Sequence, residues 1–347
     1  MQRTIARSLL GGLALALLPA ISAAQPAGRE VGFVGNLPEG LVAQPAAPGD
    51  VPGESLAYES PAVQNHADSW RSWGHYVYGS TRLGADPNGA GIRSTSNGLA
   101  VGIERSFGPS FTMGVSLGYA RTRSESLGVK SDGDAYAATT YAWWNPVGGL
   151  EIDALVGIAG SEGDVRRRVL IGTGPTLLNG SASALGPTAM AAVGYRFRYA
   201  TALGPAYLKP FASLSYASQD RGAYTETNGA GSGLHFPGKT FERSLLNVGA
   251  AAGIDVALGE GWAMRPELSV AWSRHLIDPA PSVPVVDVAT GAQYRLRDPR
   301  QGRDGLLVST EVSVWRTAGL QVFAGYTGEF RDNYAAHQAR VGLRTTW

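Results

Sequence analysis

The sequence predicts an all-β protein, a twelve-stranded antiparallel transmembrane β-barrel of the outer-membrane type. Three observations predict it. Apolar and polar residues alternate strictly over runs of nine or more residues, which is the period of a strand. The connections between those runs are alternately short and long. Beyond the N-terminal leader no stretch reaches the roughly 20 apolar residues of a spanning helix, while the runs match the about 9–11 residues of a spanning strand.

The leader is MQRTIARSLLGGLALALLPAISAAQ, with Arg3 and Arg7, an apolar stretch from Leu9 to Ile21, and small residues Ser22, Ala23 and Ala24. That order predicts a secretory signal peptide over 1–24, cut after Ala24. An uncleaved anchor is the alternative, opposed by the short apolar run and by Pro19. Residues 25–69 contain Pro26, Pro38, Pro45, Pro48, Pro52 and Pro61 with little periodicity. They read as a Pro-rich linker with at most a helical turn near 62–68, unable to bury a core of its own. Domain organisation is therefore 1–24, 25–69 and a barrel over 70–347.

Composition excludes several chemistries. The 347 residues contain no cysteine, so there is no disulfide, thiolate metal site or thiol nucleophile. A net charge of +1 lacks the basic excess that nucleic acid demands. The 47 glycines are about twice the usual share of roughly 7%; with 14 Tyr and 8 Trp they favour strands over helices.

From Trp70 the alternation is clear. Met113, Val115, Leu117 and Tyr119 stand against Thr112, Gly114, Ser116 and Gly118; Ile152, Ala154, Val156 and Ile158 against Glu151, Asp153, Leu155 and Gly157. Val248, Ala250 and Ala252 oppose Asn247, Gly249 and Gly253, and Trp262, Leu268, Val270 and Trp272 oppose Arg265, Glu267 and Ser269. At the end, Trp347, Thr345, Leu343, Val341 and Ala339 oppose Thr346, Arg344, Gly342, Arg340 and Gln338. Short connections fall at 108–110, 146–149, 202–205, 259–261 and 317–319, and longer ones at 84–94, 123–133, 163–187, 219–242, 276–304 and 331–335. Six long and five short connections require twelve strands with both ends on the short-turn side. Only helices and closed barrels satisfy every backbone polar group in a bilayer, and outer-membrane barrels have even strand counts, short periplasmic turns and longer outside loops. A soluble β-sandwich also alternates, but with shorter strands and no such loop rhythm.

The two faces of each strand then meet lipid and lumen. Trp262, Trp272, Tyr119, Tyr141, Trp143 and Trp347 are expected in the aromatic girdles. Glu104, Glu151, Asp153, Arg196, Arg198, Asp255, Arg265, Glu267, Glu311, Glu329, Arg340 and Arg344 are expected to face the lumen, either as a cross-lumen ion-pair network touching a threaded segment or as a solvated interior. Inward glycines at 114, 118, 249 and 253 leave room for such a segment. The histidines at 66, 75, 235, 275 and 337 are scattered. No metalloprotease or nucleophile-elbow motif occurs. Ser273 and His275 share a strand face but lack an orienting acid. Glu151 and Asp153 suit a metal or an acid/base pair, or simply pairing with lumen arginines. The expectation is no enzyme, no cofactor and no metal.

Three stretches carry a family resemblance: WRSWGHYVYGS (70–80), GLAVGIERSFGPSFTMGVSLGYA (98–120) and LQVFAGYTGEFRDNYAAHQARVGLRTTW (320–347). They resemble the first strand, the second-to-third strand hairpin and the terminal hairpin of the C-terminal translocator domain of autotransporters, the type V secretion proteins. The resemblance covers 70–347 and implies a barrel in the outer membrane of a Gram-negative cell, with its termini on the periplasmic side. Its implied partners are outer-membrane lipid, periplasmic chaperones and the barrel-assembly machinery, which reads Val341, Leu343 and Trp347 as an assembly signal. The resemblance also implies that the protein's own N-terminal segment occupies the lumen. The segment ahead of the barrel is about 45 residues, far shorter than a typical passenger, and no Asn-Asn junction for intrabarrel cleavage precedes Trp70. The function expected is anchoring, translocating or displaying that segment. The alternative is a stand-alone channel or adhesin barrel working through its outside loops.

Overall fold

The computed structural model describes residues 69–347 apart from 87–89, 109, 172–173, 230, 278–282, 297–298 and 317–318. The leader and all of segment 25–69 except Ser69 lie outside the described residues. The described chain runs through β1 (Trp70–Leu83), β2 (Ile92–Ser106), β3 (Phe111–Ser126), β4 (Val129–Trp144), β5 (Leu150–Ile171) and β6 (Gly174–Tyr195). It continues through β7 (Phe197–Thr201), β8 (Gly204–Arg221), β9 (Tyr224–Thr227), β10 (Gly233–Phe236), β11 (Lys239–Ile254) and β12 (Val256–Gly259). The last are β13 (Trp262–His275), β14 (Val283–Asp287), β15 (Gln293–Leu296), β16 (Asp304–Arg316), β17 (Leu320–Arg331) and β18 (Tyr334–Thr346).

Twelve wall strands close on themselves. β7 continues β6 in the same register against β8, and β12 continues β11 against β13. Each wall strand pairs antiparallel with its neighbours in sequence, and β1 pairs with both β2 and β18, from Arg71↔Thr346 to Leu83↔Tyr334. Closure leaves no edge with unpaired backbone groups. The four remaining strands form two hairpins, β9–β10 and β14–β15, joined to each other by pairing of β10 with β14.

The outward face is a belt of exposed apolar side chains, including Leu99, Val115, Leu117, Val156, Leu268 and Leu343. A hydrocarbon surround stabilises a belt of this kind. Aromatics bound it below at Trp70, Phe107, Trp144, Tyr195, Phe197 and Trp262, and above at Tyr78, Tyr119, Tyr216 and Trp272, all exposed. Two expected girdle residues point the other way: Tyr141 lies on the inward face of β4, and Trp143 is buried there at 3% exposure. Trp144 takes the girdle position instead, because one step along a strand reverses the face.

Three expected long loops are strands. The 123–133 region is the top of the β3–β4 hairpin, closed by Leu127-Gly128 with Gly128 at φ 74°. The 163–187 region is the β5–β6 hairpin, paired up to Ile171↔Gly174. The 331–335 region is a two-residue turn, Asp332-Asn333, whose Asn333 sits at φ 60°, a conformation asparagine tolerates. The apolar face ends where the lipid ends, so the alternation disappears while the ladder continues. Cross-strand charges then replace burial: Arg123–Asp132 at 2.8 Å and Lys130–Glu125 at 2.8 Å. The wall is consequently uneven, with β5 and β6 at 22 residues each against 12 for β17 and 13 for β18.

Candidate functional site: a charged lumen beneath an apolar cap

The inward faces of the wall strands build the lumen. Near the rim where the chain enters at Trp70, Arg71 Nε lies 2.9 Å from Glu104 Oε1, both side chains buried. Arg71 also donates to Ser106 Oγ at 3.1 Å and Thr112 Oγ1 at 3.3 Å. The Tyr141 hydroxyl donates to Glu104 at 2.9 Å and accepts from Trp73 Nε1 at 2.7 Å. A quarter-turn round the wall, Glu151 takes Arg196 at 2.8 Å and Lys209 at 3.0 Å, while Arg196 stacks 4.1 Å above the Tyr207 ring. Arg265 grips Asp255 with two bonds of 2.6 and 2.9 Å, and Tyr207 donates to Glu267.

Further pairs follow on the other side. Arg340 meets Glu311 at 2.8 Å, Arg344 donates to Gln321 at 3.1 Å, and Glu329 is bound by Arg331 and approached by Arg243 at 3.7 Å. Asp153 is buried on the inward face of β5 beside Glu151. Of the twelve expected lumen charges, Arg198 alone is exposed, at the open end of the wall on β7. Most of these pairs join strands that are neighbours or one strand apart in the wall, in place of the expected cross-lumen network. They lie flat because the long side chains reach their partners along the wall.

The inward glycines also differ from expectation. A Cβ on Gly114 would lie 2.6 Å from the Tyr141 ring, and one on Gly253 would lie 2.6 Å from the Tyr207 ring. Each glycine therefore makes room for a tyrosine lying across it, which carries that hydroxyl to a glutamate two strands away; no threaded chain is needed to explain them.

Above the charged layers the outer mouth is filled. Inward residues of the wall, Leu83, Ile92, Val129, Val165, Leu178, Ala182 and Tyr334, form one buried cluster with Tyr224, Leu234 and Phe236 of the β9–β10 hairpin and Val283 and Val285 of β14. The wall members come from one arc, β18–β1–β2 and β4–β5–β6, and Phe241 of β11 packs against the cluster from farther round the wall. Level with Val129 and Leu178, Arg167 donates to both oxygens of Glu226 at 2.5 and 2.8 Å, with both side chains essentially sealed from solvent. Tyr224 and Phe236 stack at 4.6 Å, and the Arg221 guanidinium sits 5.1 Å from the Tyr224 ring and 5.5 Å from the Phe241 ring. Ser273 and His275 are both buried in this region, and the Ser273 hydroxyl accepts from Arg331 at 2.6 Å.

The sequence reading missed Arg71, Lys209, Arg167 and Glu226. Lys209 was hidden because Tyr207 and Phe211 flank it on the inward side while Leu208 faces lipid, so both faces look apolar. Arg71 was accessible to the alternation rule, lying one step from Trp70.

The family model for the autotransporter β-domain matches residues 72–327. The fold is similar to the translocator domain of the autotransporter NalP from Neisseria meningitidis, with a TM-score of 0.62 at 16% identity over 87% of this chain and 97% of that one. It is also similar to the transport unit of AIDA-I from Escherichia coli, with a TM-score of 0.57 at 16% identity over 82% and 92%. The β-domain of the Bordetella autotransporter BrkA gives 0.56 at 15% identity over 81% and 100%. No curated protein matches the sequence. With more than half its length matched, the chain belongs to the autotransporter β-domain family.

Proposed function

We propose that this protein is exported by its leader, inserts in the outer membrane, and holds its own residues 25–69 for translocation to, and display at, the cell surface. Charge complementarity carries this reading. Residues 25–69 contain six carboxylates (Glu30, Glu39, Asp50, Glu54, Glu59 and Asp68) against Arg29 as the single arginine or lysine, a formal charge of −5. The lumen face carries the opposite sign in Arg71, Arg196, Lys209, Arg265 and Arg344, all buried there. The segment leads into Trp70 on the rim that also holds the short turns, beside the Arg71 layer. Val341, Leu343 and Trp347 face outward, as a signal read by periplasmic chaperones and the assembly machinery must. We assign the barrel no catalytic role.

A surface adhesin is the second reading, favoured by the β3–β4 and β5–β6 hairpins that rise above the lipid belt with exposed charged faces. The deciding experiment is proteolysis of intact cells carrying an epitope within 25–69. Display predicts that external protease removes the epitope while the barrel stays folded. An epitope cut only after the outer membrane is permeabilised overturns it.

A further inference from the structure

We propose that the β9–β10 and β14–β15 hairpins are a latched lid over the outer mouth of the barrel, with Arg167 and Glu226 as the latch. Loops that merely connect strands are polar and lie on the surface. These instead turn Tyr224, Leu234, Phe236, Val283 and Val285 into the mouth, where each is less than a tenth exposed. They meet inward side chains of β18, β1, β2, β4, β5 and β6, and Phe241 of β11 packs against the cluster, so apolar packing covers this part of the mouth. The cluster uses only residues 83–336 of the barrel itself and is therefore complete without residues 25–69.

The latch is the second, independent feature. β9 is tied to the wall backbone by a single register pair, Asn179↔Thr227. Besides its apolar packing, it is held by the bidentate bond from Arg167 on β5 to Glu226 on β9. A buried pair of this kind contributes little net stability while intact, but removing one member strands a charge out of water. Replacing both members with apolar side chains removes that penalty. An ion pair at a movable joint thus holds two positions: paired and closed, or hydrated and open. Any segment leaving through the lumen has to separate this pair and lift the hairpins.

The absence of cysteine makes the test clean. A single Ser161→Cys substitution puts a thiol on the inward face of β5 below Val165, at a residue with 0% exposure. Whole cells expressing the full chain are treated with a membrane-impermeant maleimide. The lid predicts slow labelling in the otherwise native protein and labelling faster by about tenfold or more when Glu226→Gln breaks the latch. The double variant Arg167→Met/Glu226→Met returns to slow labelling. Retention of the compact, heat-modifiable form on unheated gels shows that each variant's barrel is folded. Fast labelling of the native protein overturns the lid, and equal rates in native and Glu226→Gln proteins overturn the latch. The readout is independent of the epitope test, so either reading can fail alone.

Discussion

Trp70 and Trp347 face each other across the closing seam: each backbone amide donates to the other's carbonyl, at 3.0 and 2.9 Å, and the two rings stack 6.1 Å apart at 14°. The tryptophan at position 347 therefore ties the last rung of the seam, where β18 completes its pairing with β1. Stacked pairs add about 0.5–1.5 kcal/mol beyond the area they bury. Trp347→Ala should reduce the heat-modifiable fraction and destabilise the folded barrel by about 1 kcal/mol in urea titrations in detergent. Trp347→Phe should be nearly neutral. An alanine variant that folds as fast and as completely as the native chain refutes a role for the seam.

The Arg71–Glu104 pair tests the lumen layer. Glu104→Gln strands a buried guanidinium and should cost about 3–5 kcal/mol, whereas Arg71→Met/Glu104→Met together should be close to neutral. A double-mutant cycle by reversible unfolding measures the difference. Equal costs for the single and double variants would show that the pair is screened by lumen water.

Two heights on one face of β3 make opposite predictions. Leu117, 59% exposed at mid-belt, should lose about 2–4 kcal/mol of stability on substitution by arginine. Arg123, on the same face but above the lipid and paired with Asp132, should tolerate alanine within about 1 kcal/mol. The comparison uses refolding into lipid vesicles; a cheap Leu117→Arg would mean that this face does not meet hydrocarbon.

Tyr224 makes the lid sensitive to alkali. Burial lifts its phenol above the ordinary value near 10, Glu226 pushes in the same direction, and Arg221 and Arg167 oppose. The closed form therefore holds this proton more tightly than the open form. Closure is undiminished below about pH 10 and weakens as pH climbs from there toward the raised value. Cleavage within the β9–β10 turn by an alkaline-active protease should accelerate above about pH 10, and Tyr224→Phe should move that onset upward. Identical profiles for the two proteins rule out this titration as the cause.

The wall was legible in the sequence because two solvents decide each side of it: Leu117 and Ser116, or Glu151 and Ile152, cannot exchange places without putting a hydroxyl or a carboxylate in lipid. Legibility fails where that contrast fails. Tyr141 and Trp143 are apolar enough for lipid yet turn inward, since their polar atoms and bulk serve the lumen wall. Residues 123–126 and 129–133 meet water on the outside, so the pattern vanishes although pairing continues. The cap was unreadable for another reason. β9 and β10 have four residues each, too few to show a period, and Tyr224 shares its buried cluster with residues as distant as Leu83 and Val283. Arg167 and Glu226 are 59 positions apart, and no spacing rule connects them.

The unequal heights of the wall have a steric result. The β5–β6 side stands like a parapet and the β17–β18 side like a threshold, so a bulky body descending on the cell meets the former first. An antibody or phage tail fibre recognising the hairpin crest is held off from the lid, while a slender peptide or a protease crossing the threshold reaches it sideways. The barrel's outer end is thus lowest, and most open to approach, along the β17–β18 side.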